Sequence, residues 1–411
     1  MKLYRIFAGT RVRRSRASAV GALTLGLVSA GIVTSALAAD WPQWRGPQRN
    51  GVSAERGWKT QWPATGPKEV WTADVGKGFS SVAVANGRLY TMGNSRDRDT
   101  VYCLDARTGK TLWTHTYTCA AGDYGGPRAT PTVDGSVVYT LSREGHAFAL
   151  DAATGKGRWG RDLRKVASAG PPQWGFAGSP LVEGGRIIYN VGSAGVALDG
   201  GGQVVWKSSG TSGYASPVSY NLGGQRGVAL FSESSVIGVN PADGRRLWSH
   251  RWNTSYGVNA ADPIPIGDTL FISSNYGKGC ALLSLGGGQP SVVWQNRNMR
   301  NHFNASVRVG DSLYGNDENT LKCIDVKTGA ERWRSRGIGK GGLIASDGKL
   351  IVLTERGELT VVQATPEKYT ELARAKVLNG TSWTHPVLSN GFIYCRSHEG
   401  KLVCLDVRSN G

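Results

Sequence analysis

Tryptophan recurs in this chain at residues 71, 113, 159, 206, 248, 294 and 333, at intervals of 42, 46, 47, 42, 46 and 39 residues. A period near 44 residues is that of one four-stranded propeller blade, and it constrains the fold more tightly than any local propensity does. The indole ends a longer repeated phrase. Residues 101–113 read Val-Tyr-Cys-Leu-Asp-Ala-Arg-Thr-Gly-Lys-Thr-Leu-Trp, and residues 147–159 read Ala-Phe-Ala-Leu-Asp-Ala-Ala-Thr-Gly-Lys-Gly-Arg-Trp. Looser copies run from Val196, Ile237, Ala281 and Leu321 to Trp206, Trp248, Trp294 and Trp333. Each copy is a strand ending in Leu-Asp, a tight turn and a strand carrying one Trp. Asp caps the turn with its own side chain, and Gly supplies positive φ.

Two half-copies set the topology. Leu402-Val403-Cys404-Leu405-Asp406 ends the chain with no strand to follow, and Lys68-Glu69-Val70-Trp71-Thr72 has no Leu-Asp strand before it. The expected fold is all-β: an eight-bladed β-propeller of four-stranded antiparallel blades over residues 67–411, its ring closed by the N-terminal strand completing the last blade. Such closure leaves no open sheet edge.

Composition excludes the alternatives. With 58 Gly residues, interior helix costs rule out a coiled coil, and with 14 Trp and only 19% charged residues the chain is not a disordered one. Residues 1–39 read as an export signal. Lys2, Arg5, Arg11, Arg13, Arg14 and Arg16 precede an apolar stretch from Ala17 to Val33, and Ala36-Leu37-Ala38 offers a small-x-small cleavage pattern. The protein is therefore expected in the periplasm or secreted, with no transmembrane span after signal removal. The formal charge is +18, and the six basic signal residues take that to +12. No aromatic-plus-basic groove pattern accompanies the charge, so no nucleic-acid partner is expected. An envelope protein, a small molecule or a glycan is. The ring is read as a monomer.

Residues 40–66 hold Trp41, Trp44, Trp58 and Trp62 among Pro and Gly. They are expected to cap one face of the ring, a sugar-stacking platform being the sharper alternative. Cys395 and Cys404 flank Glu399-Gly400; a two-residue turn there sets them opposite each other, where a disulfide is conceivable. Cys103, Cys323 and Cys404 share one repeat position and read as small buried residues.

The Leu-Asp-x-x-Thr-Gly-x-x-x-Trp phrase resembles the tryptophan-docking repeat of the quinoprotein, or pyrroloquinoline-quinone-like, β-propellers, over essentially the whole chain after residue 39. Two branches of that superfamily are better understood: quinone- and calcium-dependent dehydrogenases of the periplasm, and the non-enzymatic propeller lipoprotein of the outer-membrane β-barrel assembly machinery. Neither is matched closely. The adjacent cysteine pair of the alcohol dehydrogenases is absent, as are a haem-attachment motif and a lipid-attachment cysteine. The favoured reading is a non-catalytic binding or scaffold protein of the envelope.

Chemistry is sought where inner strands begin. The aligned residues are Ser81, Thr130, Ser179, Ser216, Asp262, Ser306, Gly342 and His385. Asp262 and His385 break the pattern and are the candidate base and proton shuttle. If the resemblance extends to the quinone, Lys77, Arg128 and Lys340 supply cations for its carboxylates, and Trp174 or Trp383 an aromatic floor. Calcium would find only Asp262, Asn259 and Asn304 as oxygen ligands.

Overall fold

The computed structural model describes residues 39–409; the export signal expected over residues 1–39 lies, up to residue 38, outside the described residues. Eight antiparallel sheets of four strands form an eight-bladed β-propeller. Blade 1 consists of Ala83–Ala85, Arg88–Ser95, Arg98–Asp105 and Thr111–Thr118. Blades 2 to 7 follow over residues 132–162, 181–207, 218–251, 264–296, 307–336 and 342–376. Blade 8 takes Val387–Ser389, Phe392–Arg396 and Lys401–Asp406, and its outer strand is Lys68–Asp74, which places Trp71 opposite Cys404. No helix among the described residues is long and apolar enough to cross a membrane.

Burial follows position in the blade. Middle strands such as Lys349–Leu353 (Lys-Leu-Ile-Val-Leu) are buried on both faces, because a neighbouring blade lies against each. The outer strand Thr111–Thr118 alternates exposed and half-buried residues.

The repeat has a double physical basis. In all eight blades the register shifts by one residue just ahead of the Trp position. This bulge turns the outer strand so that the side chain after it faces the next blade. There the indole donates to a backbone carbonyl of that blade's turn: Trp71 Nε1 to Ala106 O at 3.1 Å, Trp113 to Ala152 O at 3.1 Å, Trp294 to Val326 O at 3.0 Å. The turn glycine lies flat on the same ring. Gly155 has φ +73°, and a Cβ there would sit 2.5 Å from Trp113. Glycine is thus demanded twice, by backbone and by contact. Asp105, Asp151 and Asp325 cap the turns, each accepting from the Thr three residues on. Trp248 departs: its Nε1 donates to Tyr220 Oη within its own blade.

The cysteines are all free and buried. Cys395 pairs with Val403, and Cys404 with Tyr394. The turn at Ser397–Lys401 is longer than a two-residue turn, so the two thiols are one register step apart and no disulfide joins them.

The N-terminal segment does more than cap a face. Trp41 bridges Val84 of blade 1, Val133 N of blade 2 donates to Pro42 O, and Val52–Ser53 adds a short parallel strand to blade 7. Arg45 Nη2 reaches Ser306 O at 2.7 Å in front of blade 6, and Arg49 reaches Ser179 O and Pro180 O in front of blade 3. Ala39 O accepts from Ser389 Oγ of blade 8. The segment therefore runs along the innermost strands and plugs the channel between them. Trp41 and Trp58 are 2% and 5% exposed, so they offer no open face to a sugar.

Candidate functional site

The segments joining the outer strand of one blade to the inner strand of the next open on one face of the ring and wall a cavity of about 240 Å³. Its floor is Trp44 from the plug, with Asp262, Ser179 and Ser216 beside it.

The aligned strand starts form a girdle. Ser81 N donates to Thr130 Oγ1 at 3.0 Å, Thr130 N to Ser179 Oγ at 2.9 Å, Ser179 N to Ser216 Oγ at 3.0 Å, and Ser216 N to Asp262 Oδ1 at 2.7 Å. Blades 2 to 5 thus each offer a side-chain oxygen to the backbone of the blade before. Asp262 fills the place of a hydroxyl there. Its second oxygen, Oδ2, accepts from Trp44 Nε1 at 2.6 Å. The carboxylate also faces the buried guanidinium groups of Arg45 and Arg49 and favours their charged forms.

His385 lies below the floor rather than in the cavity. It is 3% exposed; its Nδ1 donates to Leu343 O at 2.8 Å, and its ring meets Trp44 edge-on at 4.7 Å. Burial, and then the nearby Arg45 charge, hold the imidazole down to about 3. The linkage sign follows. Unfolded His385 takes a proton as pH falls below about 6.5, and folded His385 does not until about 3. Stability is full above pH 6.5 and is lost on acidification from there towards 3, by at most about 1.4 kcal/mol per pH unit from this residue. Melting curves between pH 7 and 4.5 are expected to show a shallower acid decline in His385→Gln than in the wild type; parallel declines would remove His385 from the account.

The cavity walls are aromatic. Phe79 stacks on Trp383 at 5.3 Å, Trp383 meets Phe303 at 4.7 Å, and Phe303 stacks on His302 at 3.9 Å. The ring contacts continue from His302 through Tyr276 and Tyr256 to Trp174 and Tyr214. Trp383 is fixed by its Nε1 donating to Glu355 Oε1 at 2.7 Å. Lys340 Nζ lies 5.6 Å from the Phe303 centroid and 5.9 Å from Trp383, within cation–π range.

Of the residues singled out in the sequence, Arg128, Trp174, Lys340, Trp383, Asp262 and Asn304 line this one cavity. Lys77 is exposed and pairs through its backbone with Asn94. Asn259 is fully buried, off the cavity, and ties Ser232, Glu233 and Trp252 to Ser274 of blade 5. Sequence reasoning missed Trp44 as the floor, Tyr276 and Phe303 in the wall, and the exposed Tyr256 that joins Tyr276 to Trp174 behind it. Phe303 had a signal, since it sits between His302 and Asn304.

The residues present do not fit calcium. Both Asp262 oxygens are committed to Ser216 N and Trp44 Nε1. Asn259 Nδ2 donates to Ser232 O, Glu233 O and Trp252 O, while its Oδ1 accepts from Ser274 Oγ. Asn304 Nδ2 donates to Lys340 O, Gly341 O and Trp383 O. The cations suit a tricarboxylate quinone poorly as well. Arg128 spends its donors on Gly126 O, Asp123 O and Tyr124 O of its own loop. That leaves Lys340 as the one cation lining the cavity, among the described residues, whose terminal nitrogen makes no hydrogen bond to the protein.

Docked indoles, bulged outer strands and a plugged ring define a pyrroloquinoline-quinone-like repeat propeller. The family described as outer membrane protein assembly factor BamB matches residues 62–123 and 97–335, and the chain belongs to that family. It is 25% identical over 236 residues to the tetrathionate hydrolase of Acidithiobacillus ferrooxidans, an alignment covering 52% of this chain and 45% of the hydrolase. It is 24% identical over 187 residues to the outer membrane protein assembly factor BamB of Bordetella pertussis, covering 45% of this chain and 44% of that protein. The chain thus spans less than half the length of either curated relative. The quinohemoprotein alcohol dehydrogenase of Comamonas testosteroni shares the fold with a TM-score of 0.66 at 14% identity, over 91% of this chain and 81% of that one.

Proposed function

We propose that this chain is a non-catalytic binding propeller of the cell envelope, periplasmic or envelope-associated, whose aromatic cavity receives an apolar, aromatic-bearing segment of an envelope protein. The observation that carries this reading is the wall from Tyr214 round to Phe79. It is a rigid, largely apolar surface with few polar groups, the kind of pocket in which binding hot spots concentrate. Its carboxylate, Asp262, is already committed to holding the girdle and the floor. Membership of the BamB family supports the scaffold role.

The test has two arms. A photo-crosslinking residue replacing Tyr124, which lines the cavity and is exposed, in cells of the source organism, is expected to give one discrete protein adduct. Trp383→Ala, folded by circular dichroism, is expected to weaken capture of that partner about thirtyfold, the loss of one hot spot. In the second arm the purified protein is incubated with pyrroloquinoline quinone and Ca²⁺ and then desalted. No stoichiometric retention and no dye reduction with alcohols or aldoses are expected. Retained quinone with turnover that disappears in Lys340→Gln would overturn the reading.

A further inference from the structure

Away from the cavity, where blade 1 meets blade 2, three donors of different chemistry converge. Cys119 follows the outer strand Thr111–Thr118 of blade 1; Glu144 lies in the turn between the two middle strands of blade 2, and His146 opens the second of them, His146–Asp151. The thiol, one carboxylate oxygen and one ring nitrogen all lie within 4.8 Å of one another. We propose that Cys119, Glu144 and His146 form a binding site for a thiophilic divalent cation, zinc foremost, that clamps blade 1 to blade 2.

The donor set is the first argument. Thiolate, imidazole and carboxylate are the three ligand types zinc accepts, at about 2.3, 2.0 and 2.0 Å. A tetrahedral centre sets such ligands about 3.3–3.8 Å apart, so closing onto a cation requires each to move by about 1 Å at most.

The second argument is an unmade hydrogen bond on a proposed ligand, beside a buried carboxylate. His146 Nδ1 is buried and has no partner. Asp99 is 0% exposed, and its carboxylate lies beside the Cys119 thiol and the Tyr117 hydroxyl. Its Oδ1 is held by Asn94 Nδ2 at 2.7 Å, and the carboxylate also serves the Tyr117 hydroxyl and the Cys119 thiol. Buried polar atoms in native proteins are normally satisfied, and the exception at His146 calls for a partner. Charge points the same way. Among the described residues neither Asp99 nor Glu144 makes an ion pair. Two acids and a thiol beside one imidazole are balanced by a divalent cation, whose binding releases the Cys119 proton to solvent.

The third argument is preorganisation. Ser142 Oγ accepts from Glu144 N at 3.2 Å and His146 N at 2.9 Å, and Gly145 at φ +92° completes the turn that sets the two side chains close. Cys119 N donates to Asp97 O at 3.0 Å, and its carbonyl accepts from Asn94 Nδ2 at 2.9 Å. Both halves of the site are fixed before a cation arrives.

The experiment uses the whole protein, purified without metal-affinity steps. Zinc titration followed by desalting is expected to leave one equivalent, and Co²⁺ substitution to give a near-ultraviolet thiolate-to-cobalt charge-transfer band. Cys119→Ser should abolish the band, and Cys119→Ser and His146→Gln should each weaken zinc about 100-fold. Saturating zinc should raise Tm by about 3 °C in the wild type and in neither variant. His146 is partly exposed, so His146→Gln keeps the test valid if Cys119→Ser folds poorly. Absence of retained zinc, a cobalt spectrum without the thiolate band, or unchanged binding in both variants would each overturn the proposal.

Discussion

Arg396→Ala is expected to destabilise the propeller by about 3–5 kcal/mol, read from urea or thermal unfolding. Arg396 is 1% exposed at the end of a middle strand of blade 8. Its Nη1 donates to Ser80 O at 2.7 Å, Thr91 Oγ1 at 2.9 Å and Met92 O at 2.6 Å, and its Nη2 to Gly76 O at 2.9 Å. All four acceptors lie in or just before blade 1. Among the described residues no carboxylate forms an ion pair with the guanidinium; burial pulls it down to about 10, the more distant Asp74 works against that, and it stays charged at neutral pH. Alanine leaves those acceptors buried without donors and opens a cavity on the seam between the last blade and the first. Arg396→Lys keeps the charge but presents a shorter, single-point donor, and an intermediate loss is expected. A loss below about 1 kcal/mol in the alanine variant would mean that the seam relaxes around the gap.

Asp262→Ala is expected to cost a similar amount, about 3–5 kcal/mol, for a different reason. Arg45 and Arg49 are 1% and 6% exposed inside the channel, and Asp262 is the carboxylate whose field favours their charged forms. Removing it leaves two guanidiniums uncompensated in a dry interior. It also frees Trp44 Nε1 and Ser216 N, loosening the cavity floor. The diagnostic is a double-mutant cycle. Asp262→Ala with Arg49→Met should recover stability relative to Asp262→Ala alone, with a coupling of about 1 kcal/mol or more. Strict additivity would show that the carboxylate acts through the girdle alone.

What could be read from the sequence follows periodicity. Trp71 through Trp333 and the Asp-x-x-Thr-Gly turns were legible because one physical need recurs in blade after blade: an indole on a glycine, and a carbonyl for its Nε1. The strand starts from Thr130 to Asp262 were legible for the same reason, since each must offer an oxygen to a neighbour's N–H. The cavity residues Arg128, Trp174, Lys340 and Trp383 followed from that alignment. The plug did not. Trp44, Arg45 and Arg49 have no periodic context, and what they touch lies at the inner edges of four blades, 3, 5, 6 and 8. The bulge before each Trp shifts register without a mark in the residue pattern. Cys395 and Cys404 were misplaced by one position, because turn length was inferred from Glu399-Gly400 alone. Cys119, Glu144 and His146 lie on two blades, so no spacing rule joins them.

The plug has a consequence for the order of assembly. Residues 39–53 leave the ribosome before any blade, yet their seats at Val84, Val133, Ser179, Ser306, Ala345 and Ser389 are spread along 300 residues of later chain. Such long-range contacts are the slowest to form. The beginning of the polypeptide therefore acts as a keystone, set only once the arch around it stands. A nascent chain halted short of blade 8 has no strand for Lys68–Asp74 to join, and remains an open arc with a raw sheet edge at each end.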